Sequence, residues 1–150
     1  MISGPGEPLL ILSAHRGGSA EGAENTIHAF NKAVDLGMNL LEMDVHLSRD
    51  GQVVIAHDSE LGRMCGSQFA GRNLEEYAFD ELPPFQREIP MHLTAGAYRL
   101  QDDEEGRFSL LEDLFESHRD LGHNRVLYSI DLKSRSDELV MKTNALIVKY

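Results

Sequence analysis

Apolar and polar positions along the chain fall into two rhythms, one of short strands and one of helices. Residues 9–14 (LLILSA) are a continuous apolar run, as expected for a strand buried on both faces. His15-Arg16-Gly17-Gly18 then forces a turn. A helix is expected to begin near Asn25, with Asn25 or Thr26 as its cap. Ile27, Phe30 and Val34 form its apolar stripe beside Ala29 and Ala33, and Gly37 ends it. Residues 40–47 alternate. Leu41, Met43, Val45 and Leu47 face one way, and Glu42, Asp44 and His46 face the other with Leu40.

The next strand, within 53–58, follows across Arg49-Asp50-Gly51. That link is too short for a parallel crossover, so the two strands should form a hairpin. Pairing about Asp50 sets His57 opposite Met43 and beside Glu42 and Asp44. Residues 59–107 carry Gly, three of the five prolines (Pro83, Pro84, Pro90) and the run Asp102-Asp103-Glu104-Glu105. They read as an insertion with little regular structure, apart from a short helix around 73–79. An amphipathic helix capped by Ser109 is expected to run to about 120, with Gly122 and Asn124 closing the segment. Residues 126–133 are a third alternating strand, with Tyr128, Ile130 and Leu132 on one face and Ser129, Asp131 and Lys133 on the other. Ser136 or Asp137 caps a last helix, and residues 1–8 read as a loose Gly/Pro leader.

Strands alternating with helices, and aliphatic faces opposed to acidic ones, imply an α/β fold of the β/α (TIM-type) barrel class. A complete barrel takes roughly 250 residues, whereas this chain has 150. The expected object is therefore a truncated barrel of about three βα units, a hairpin and the 59–107 insertion. An open barrel edge would favour self-association.

Charge narrows the function. Acids outnumber bases 25 to 14, for a net charge of −11 with histidines neutral. Such a chain repels phosphate backbones, which argues against general nucleic-acid binding. A single cysteine, Cys65, excludes an internal disulfide, and no apolar run approaches a membrane span, so the chain as given reads as soluble and cytoplasmic.

In a barrel, Glu42, Asp44 and Asp131 would converge near the strand ends with His15, Arg16, His57 and Lys133 close by. Three crowded carboxylates need a cation, and an oxygen-only set suits Mg²⁺ or Ca²⁺. His15 and His57 could exchange protons across a displacement at phosphorus, with Arg16 clamping the oxyanion. Lys133 has two open roles, touching phosphate or holding the acids. His46 reads as a surface or supporting residue. His28, His92, His118 and His123 read as solvated, as does the 102–105 loop.

The motifs His15-Arg16-Gly17, Glu24-Asn25-Thr26, Glu42-Met43-Asp44, His57-Asp58 and Ile130-Asp131-Leu132-Lys133, in that order, resemble the glycerophosphodiester phosphodiesterases. The likeness runs from about Leu9 to the C-terminus. It implies a divalent-metal-dependent hydrolase of glycerophosphodiesters. His15 and His57 would be the catalytic acid and base, and Glu42, Asp44 and Asp131 the metal ligands. Arg16 and Lys133 would contact phosphate, with Glu24 and Asn25 as supports. HRGGSAEGAENT and ELPPF are most similar to the animal membrane-associated branch, lysophospholipases D that release lysophosphatidic acid and a free base. Full-length relatives of that branch would contact membranes. Asp131 stands where many members have Glu. The competing expectation is a catalytically silent truncated barrel that binds metal or self-associates.

Overall fold

A computed structural model describes residues 10–92, 94–121 and 126–150. The leader expected at 1–8, and Gly122, His123 and Asn124, lie outside them. The central strand is β2 (Leu40–Leu47), flanked in parallel by β1 (Ser13–His15) and β7 (Leu127–Leu132). Beyond the turn at Asp50, β3 (Val53–Ile55) pairs antiparallel with the end of β2 in the register Val45↔Ile55, and β6 (Ser109–Leu110) pairs with β3. The parallel strands, with α1 following β1 and α4 following β7, are part of a β/α barrel wall, as the alternation predicts.

Helix α1 (Ile27–Asp35) starts where the capping chemistry says it should, because the Thr26 side chain accepts a hydrogen bond from the Ala29 amide. With α3 (Leu111–Ser117) and α4 (Asp137–Lys149), it covers the aliphatic face of the sheet. Leu41, Met43 and Val45 of β2 pack there with Phe30, Leu111, Leu114 and Leu139, all fully buried. Ser136 caps α4 through the Leu139 amide.

The expected cap Ser109 has a different role. It lies in a strand pair with Ile55, and its Oγ accepts from the Ile27 amide at 3.2 Å, so it ties α1 to the sheet. The run at 9–14 also departs from expectation. Only Ser13–His15 is strand, and Leu10, Ile11 and Leu12 are 69%, 47% and 41% exposed. Among the described residues β1 has one strand neighbour, β2, so its other edge is unpaired.

Residues 59–107 are more ordered than their composition suggests. They contain α2 (Gly62–Cys65), 3₁₀ turns at Ser67–Phe69, Leu74–Glu76 and Phe79–Glu81, and a hairpin of β4 (Glu88–Pro90) with β5 (Ala97–Arg99). These short pieces enclose a second apolar core of Leu61, Leu74, Leu82, Phe85, Ile89 and Phe108 beneath Val54 of β3. Cys65 is buried within it, which pushes its thiol up to about 12. The 102–105 loop is anchored as well. Glu104 accepts hydrogen bonds from the Ala23 and Gln101 amides and from the Tyr98 hydroxyl. No helix among the described residues is long and apolar enough to cross a membrane.

Candidate active site

The polar face of β2 and the strand ends beside it carry the candidate chemistry. Parallel pairing puts Asp44 directly opposite Asp131, with Glu42 opposite Ser129 on one side and His15 on the other. The four sequence-selected acids and bases on β1, β2 and β7 therefore share one surface because of register, not chain proximity.

Asp44 is the hub. Lys133 Nζ lies 2.8 Å from Asp44 Oδ1 and 2.7 Å from Asp131 Oδ2, so a single ammonium bridges the two carboxylates. Asn25 Nδ2 donates to Asp44 Oδ2 at 3.0 Å, while Asn25 Oδ1 receives the Asp44 amide at 3.4 Å. Burial by itself would raise the Asp44 pKa. The hydrogen bonds from Lys133 and Asn25, with the nearby charges of Lys133 and His57, outweigh it and hold the carboxyl below its ordinary range. The same two acids raise Lys133 against the effect of its own burial.

The turn after β1 is bent to serve this arrangement. Arg16 and Asn25 both adopt left-handed backbone, at φ 53° and 58°, a conformation that costs roughly 1 kcal/mol for a residue with a side chain. In return the Arg16 amide donates to Glu42 Oε2 at 2.9 Å, and the Asn25 amide donates to the Arg16 carbonyl at 2.9 Å. Gly17, at φ 78°, packs so tightly on α1 that a Cβ would sit 3.0 Å from the Ala29 methyl. The Arg16 guanidinium is buried. Its Nη1 reaches Glu24 Oε1 at 3.2 Å, and its Nε lies 3.5 Å from Asp44 Oδ2 without a hydrogen bond.

His15 is half exposed at the rim, with Nε2 3.9 Å from Glu42 Oε2. His57 follows β3 on the opposite side, held by Asp58 Oδ1 at 2.7 Å from Nδ1, which leaves Nε2 as its free nitrogen. His46, expected near the surface, is buried and donates from Nε2 to the His57 carbonyl at 3.2 Å, fixing the backbone of that residue. Asp131 is the most exposed of the three candidate metal ligands.

Local sequence missed Arg63. Its guanidinium hydrogen-bonds to Asp58 Oδ2 through Nε and to both Glu24 oxygens, at 2.6 and 3.2 Å, and also donates to the Pro90 carbonyl at 3.1 Å. A continuous chain of polar contacts thus joins His57, Asp58, Arg63, Glu24 and Arg16. Arginines 72, 87, 99 and 107 share the segment, and no spacing distinguishes Arg63 from them. His92 was read as solvated. It is exposed, but its ring centroid lies 4.6 Å from that of His57.

The donor sets differ in hardness. Glu42, Asp44 and Asp131 offer only oxygen, the donor type of a hard divalent cation, but Lys133 bridges two of them and their ligand atoms are not gathered within 4.8 Å of one another. His57, Asp58 and His92 form a separate group whose ligand atoms lie within 4.8 Å of one another.

Comparison with known proteins identifies the family. Lysophospholipase D GDPD1 of Homo sapiens is 32% identical over 137 residues, covering 91% of this chain and 40% of that protein. Lysophospholipase D GDPD3 of Homo sapiens is 32% identical over 139 residues, covering 93% and 41%. The chain thus spans about two fifths of the length of these curated relatives. A glycerophosphodiester phosphodiesterase from Thermotoga maritima superposes at TM-score 0.67 with 27% identity, over 95% of this chain and 52% of that one. A phosphodiesterase of Oleispira antarctica, solved with the product sn-glycerol-3-phosphate, superposes at TM-score 0.71 with 25% identity, over 93% and 52%. The profile of the Glycerophosphoryl diester phosphodiesterase family matches residues 15–149, from the first site histidine to the end of α4, and the chain belongs to that family.

Proposed function

We propose that this chain carries the catalytic face of a metal-dependent phosphoric diester hydrolase acting on glycerophosphodiesters, of the lysophospholipase D type. The observation that carries the reading is the alignment of Asp44 with Asp131 across the β2–β7 pair, with His15 and His57 on either side. Glu42, Asp44 and Asp131 would hold Mg²⁺ or Ca²⁺, which when bound offsets the charge that develops on the phosphoryl oxygens. The remaining work falls to the side chains. One imidazole takes a proton from the attacking oxygen, that of water or of the substrate's own glycerol hydroxyl, as it bonds to phosphorus; in the second case water then opens the cyclic phosphate. The other gives a proton to the head-group oxygen as its bond to phosphorus breaks. Asp58 fixes the His57 tautomer, Asn25 keeps Asp44 in place, and Arg16 with Lys133 supplies positive charge at the phosphate. Net hydrolysis of a lysophospholipid yields lysophosphatidic acid and the free alcohol; a deacylated diester yields glycerol phosphate.

The names of the human relatives and the product held by the Oleispira enzyme support this substrate class. The test incubates the 150-residue chain with lysophosphatidylcholine or glycerophosphocholine in Mg²⁺, Ca²⁺ or EDTA, with mass spectrometry of the products. Choline release is expected with a divalent ion, lost with EDTA and reduced at least about 10²-fold in His15→Ala. Release that survives both removes the proposal. A second reading is a silent chain that pairs with a second copy. It is favoured by Leu10, Ile11 and Leu12 beside β1 and by Leu127, 50% exposed, at the start of β7, two exposed edges of the parallel sheet. Absence of turnover together with a dimer in sedimentation would select it.

A further inference from the structure

The hairpin β4–β5 places one imidazole against the candidate catalytic histidine, a juxtaposition the carboxylate site does not use. His92 follows β4, whose Ile89 is buried in the second core and whose Pro90 carbonyl accepts from Arg63. The backbone that presents His92 is therefore fixed at two points, while its ring remains exposed. Opposite it, His57 is held through Nδ1 by Asp58, and Asp58 is held in turn by Arg63.

We propose that His57, His92 and Asp58 form a second metal site, selective for a borderline transition ion such as Zn²⁺, that switches the active site off. Two imidazoles and one carboxylate are a donor set for Zn²⁺ and its neighbours, with water completing the coordination, whereas Mg²⁺ and Ca²⁺ prefer oxygen alone. The three ligand atoms lie within 4.8 Å of one another. Zn–N bonds of about 2 Å put ligand atoms roughly 3.3 Å apart in a tetrahedral site, a closure within the reach of the exposed His92 side chain. Arg63 on the far oxygen of Asp58 supplies the outer hydrogen bond that orients a ligating carboxylate. Hard and borderline ions are thereby sorted to different places, the first to Glu42, Asp44 and Asp131, the second to the hairpin side. The switching consequence rests on the proton-transfer role proposed above for His57: Zn²⁺ bound between Nδ1 and Asp58 replaces the hydrogen bond that orients the ring and leaves Nε2 carrying the ring proton, unable to accept another. The binding itself does not depend on that role.

The experiment titrates the untagged 150-residue chain with Zn²⁺, and with Co²⁺ as a spectroscopic substitute, in buffer containing millimolar Mg²⁺. One Zn²⁺ is expected to bind, Mg²⁺ not to displace it, and His92→Ala to weaken it at least about tenfold. Co²⁺ should give the visible absorption of a low-coordinate, imidazole-ligated ion in the wild type and not in His92→Ala. Because His92 is exposed, the variant is expected to melt with the wild type. Equal Zn²⁺ affinity in the two proteins, or displacement of Zn²⁺ by Mg²⁺, overturns the site. In the activity assay, Zn²⁺ should suppress choline release by the wild type and spare His92→Ala. If neither protein turns over substrate, the hydrolase reading falls while the titration still decides the metal site.

Discussion

Leu41, Met43 and Val45 reach the first core from alternate positions of one strand, whereas Leu61, Leu74 and Phe85 reach the second from the cap of a one-turn helix, a 3₁₀ turn and a loop. In the first region, backbone ladders fix the geometry and apolar side chains follow. In the second, the backbone has little repeating structure, and side chains supply the order that ladders supply elsewhere: Glu60 caps Gly62 and Gly71, Glu104 gathers three donors, and Arg63 ties α2 to the hairpin and the candidate site. The difference shows how the site divides its needs. The carboxylates sit on strands, where position is set by register. His57 and its partners lie where polar networks set orientation, and Arg63 with Glu24 is the junction between the two.

The largest effect expected is on the cores. Leu41→Ala and Leu74→Ala each empty a fully buried position and should each lose about 2–5 kcal/mol, read from urea unfolding. If the two regions behave as one cooperative body, each variant shifts a single transition followed by both amide signal and tyrosine fluorescence. Two separate transitions in Leu74→Ala alone would show that residues 59–107 fold independently, and the comparison would become one between domains.

A smaller effect tests the junction. Arg63→Met removes the side chain that, among the described residues, joins Asp58, Glu24 and the Pro90 carbonyl, and leaves two carboxylates without it. A loss of about 2 kcal/mol is expected, with Arg63→Lys intermediate because a point charge cannot span both acids. A variant as stable as the wild type would show that the two regions are held together by their apolar contact alone.

The smallest effect separates the regions by pH. His118 is buried between α3 and β7. Its Nε2 donates to Asn31 Oδ1 at 2.8 Å and its Nδ1 shares a hydrogen bond of 2.9 Å with the Tyr128 hydroxyl. Burial lowers its pKa from the ordinary 6.5. Just below that pH the unfolded chain binds more protons than the native one, so this contribution is complete above about 6.5 and fades as pH falls. Burial alone would raise the Glu104 pKa, but the Ala23 and Gln101 amides and Tyr98 lower it from 4.5, so its contribution holds above about 4.5 and fades in more acid solution. Melting temperatures from pH 7.5 to 3 should show both windows. His118→Asn should flatten only the upper one, Glu104→Gln only the lower. An unchanged upper window in His118→Asn would remove the sheet region from the acid response.

Chemistry carried within a few residues was legible. Thr26 and Ser136 cap the helices they were expected to cap, since an N-cap is decided by three or four neighbouring residues. The Asp50 turn and the alternation of β2 fixed which way Glu42 and Asp44 face, because a strand has a period of two and a short link permits only a hairpin. What depends on neighbours distant in sequence was not legible. Leu10 to Leu12 are apolar yet exposed, as burial belongs to the packing partner and not to the residue. Ser109 carries a capping side chain but sits in a two-residue strand, where pairing with Ile55 decides its role. His118 and Cys65 are interior because folding closes over them.

By itself, then, the sequence determined the βα order, the helix starts, the face on which the acids lie and the family motifs that go with them. Only the tertiary structure decided that Asp44 meets Asp131 across parallel strands 87 positions apart, that Lys133 lies between them, and that Arg63 and His92 come to His57. The physical reason is the range of the forces concerned: caps, turns and alternation act over a few residues, while register, ion-pair networks and metal-sized clusters exist only once distant segments share one space.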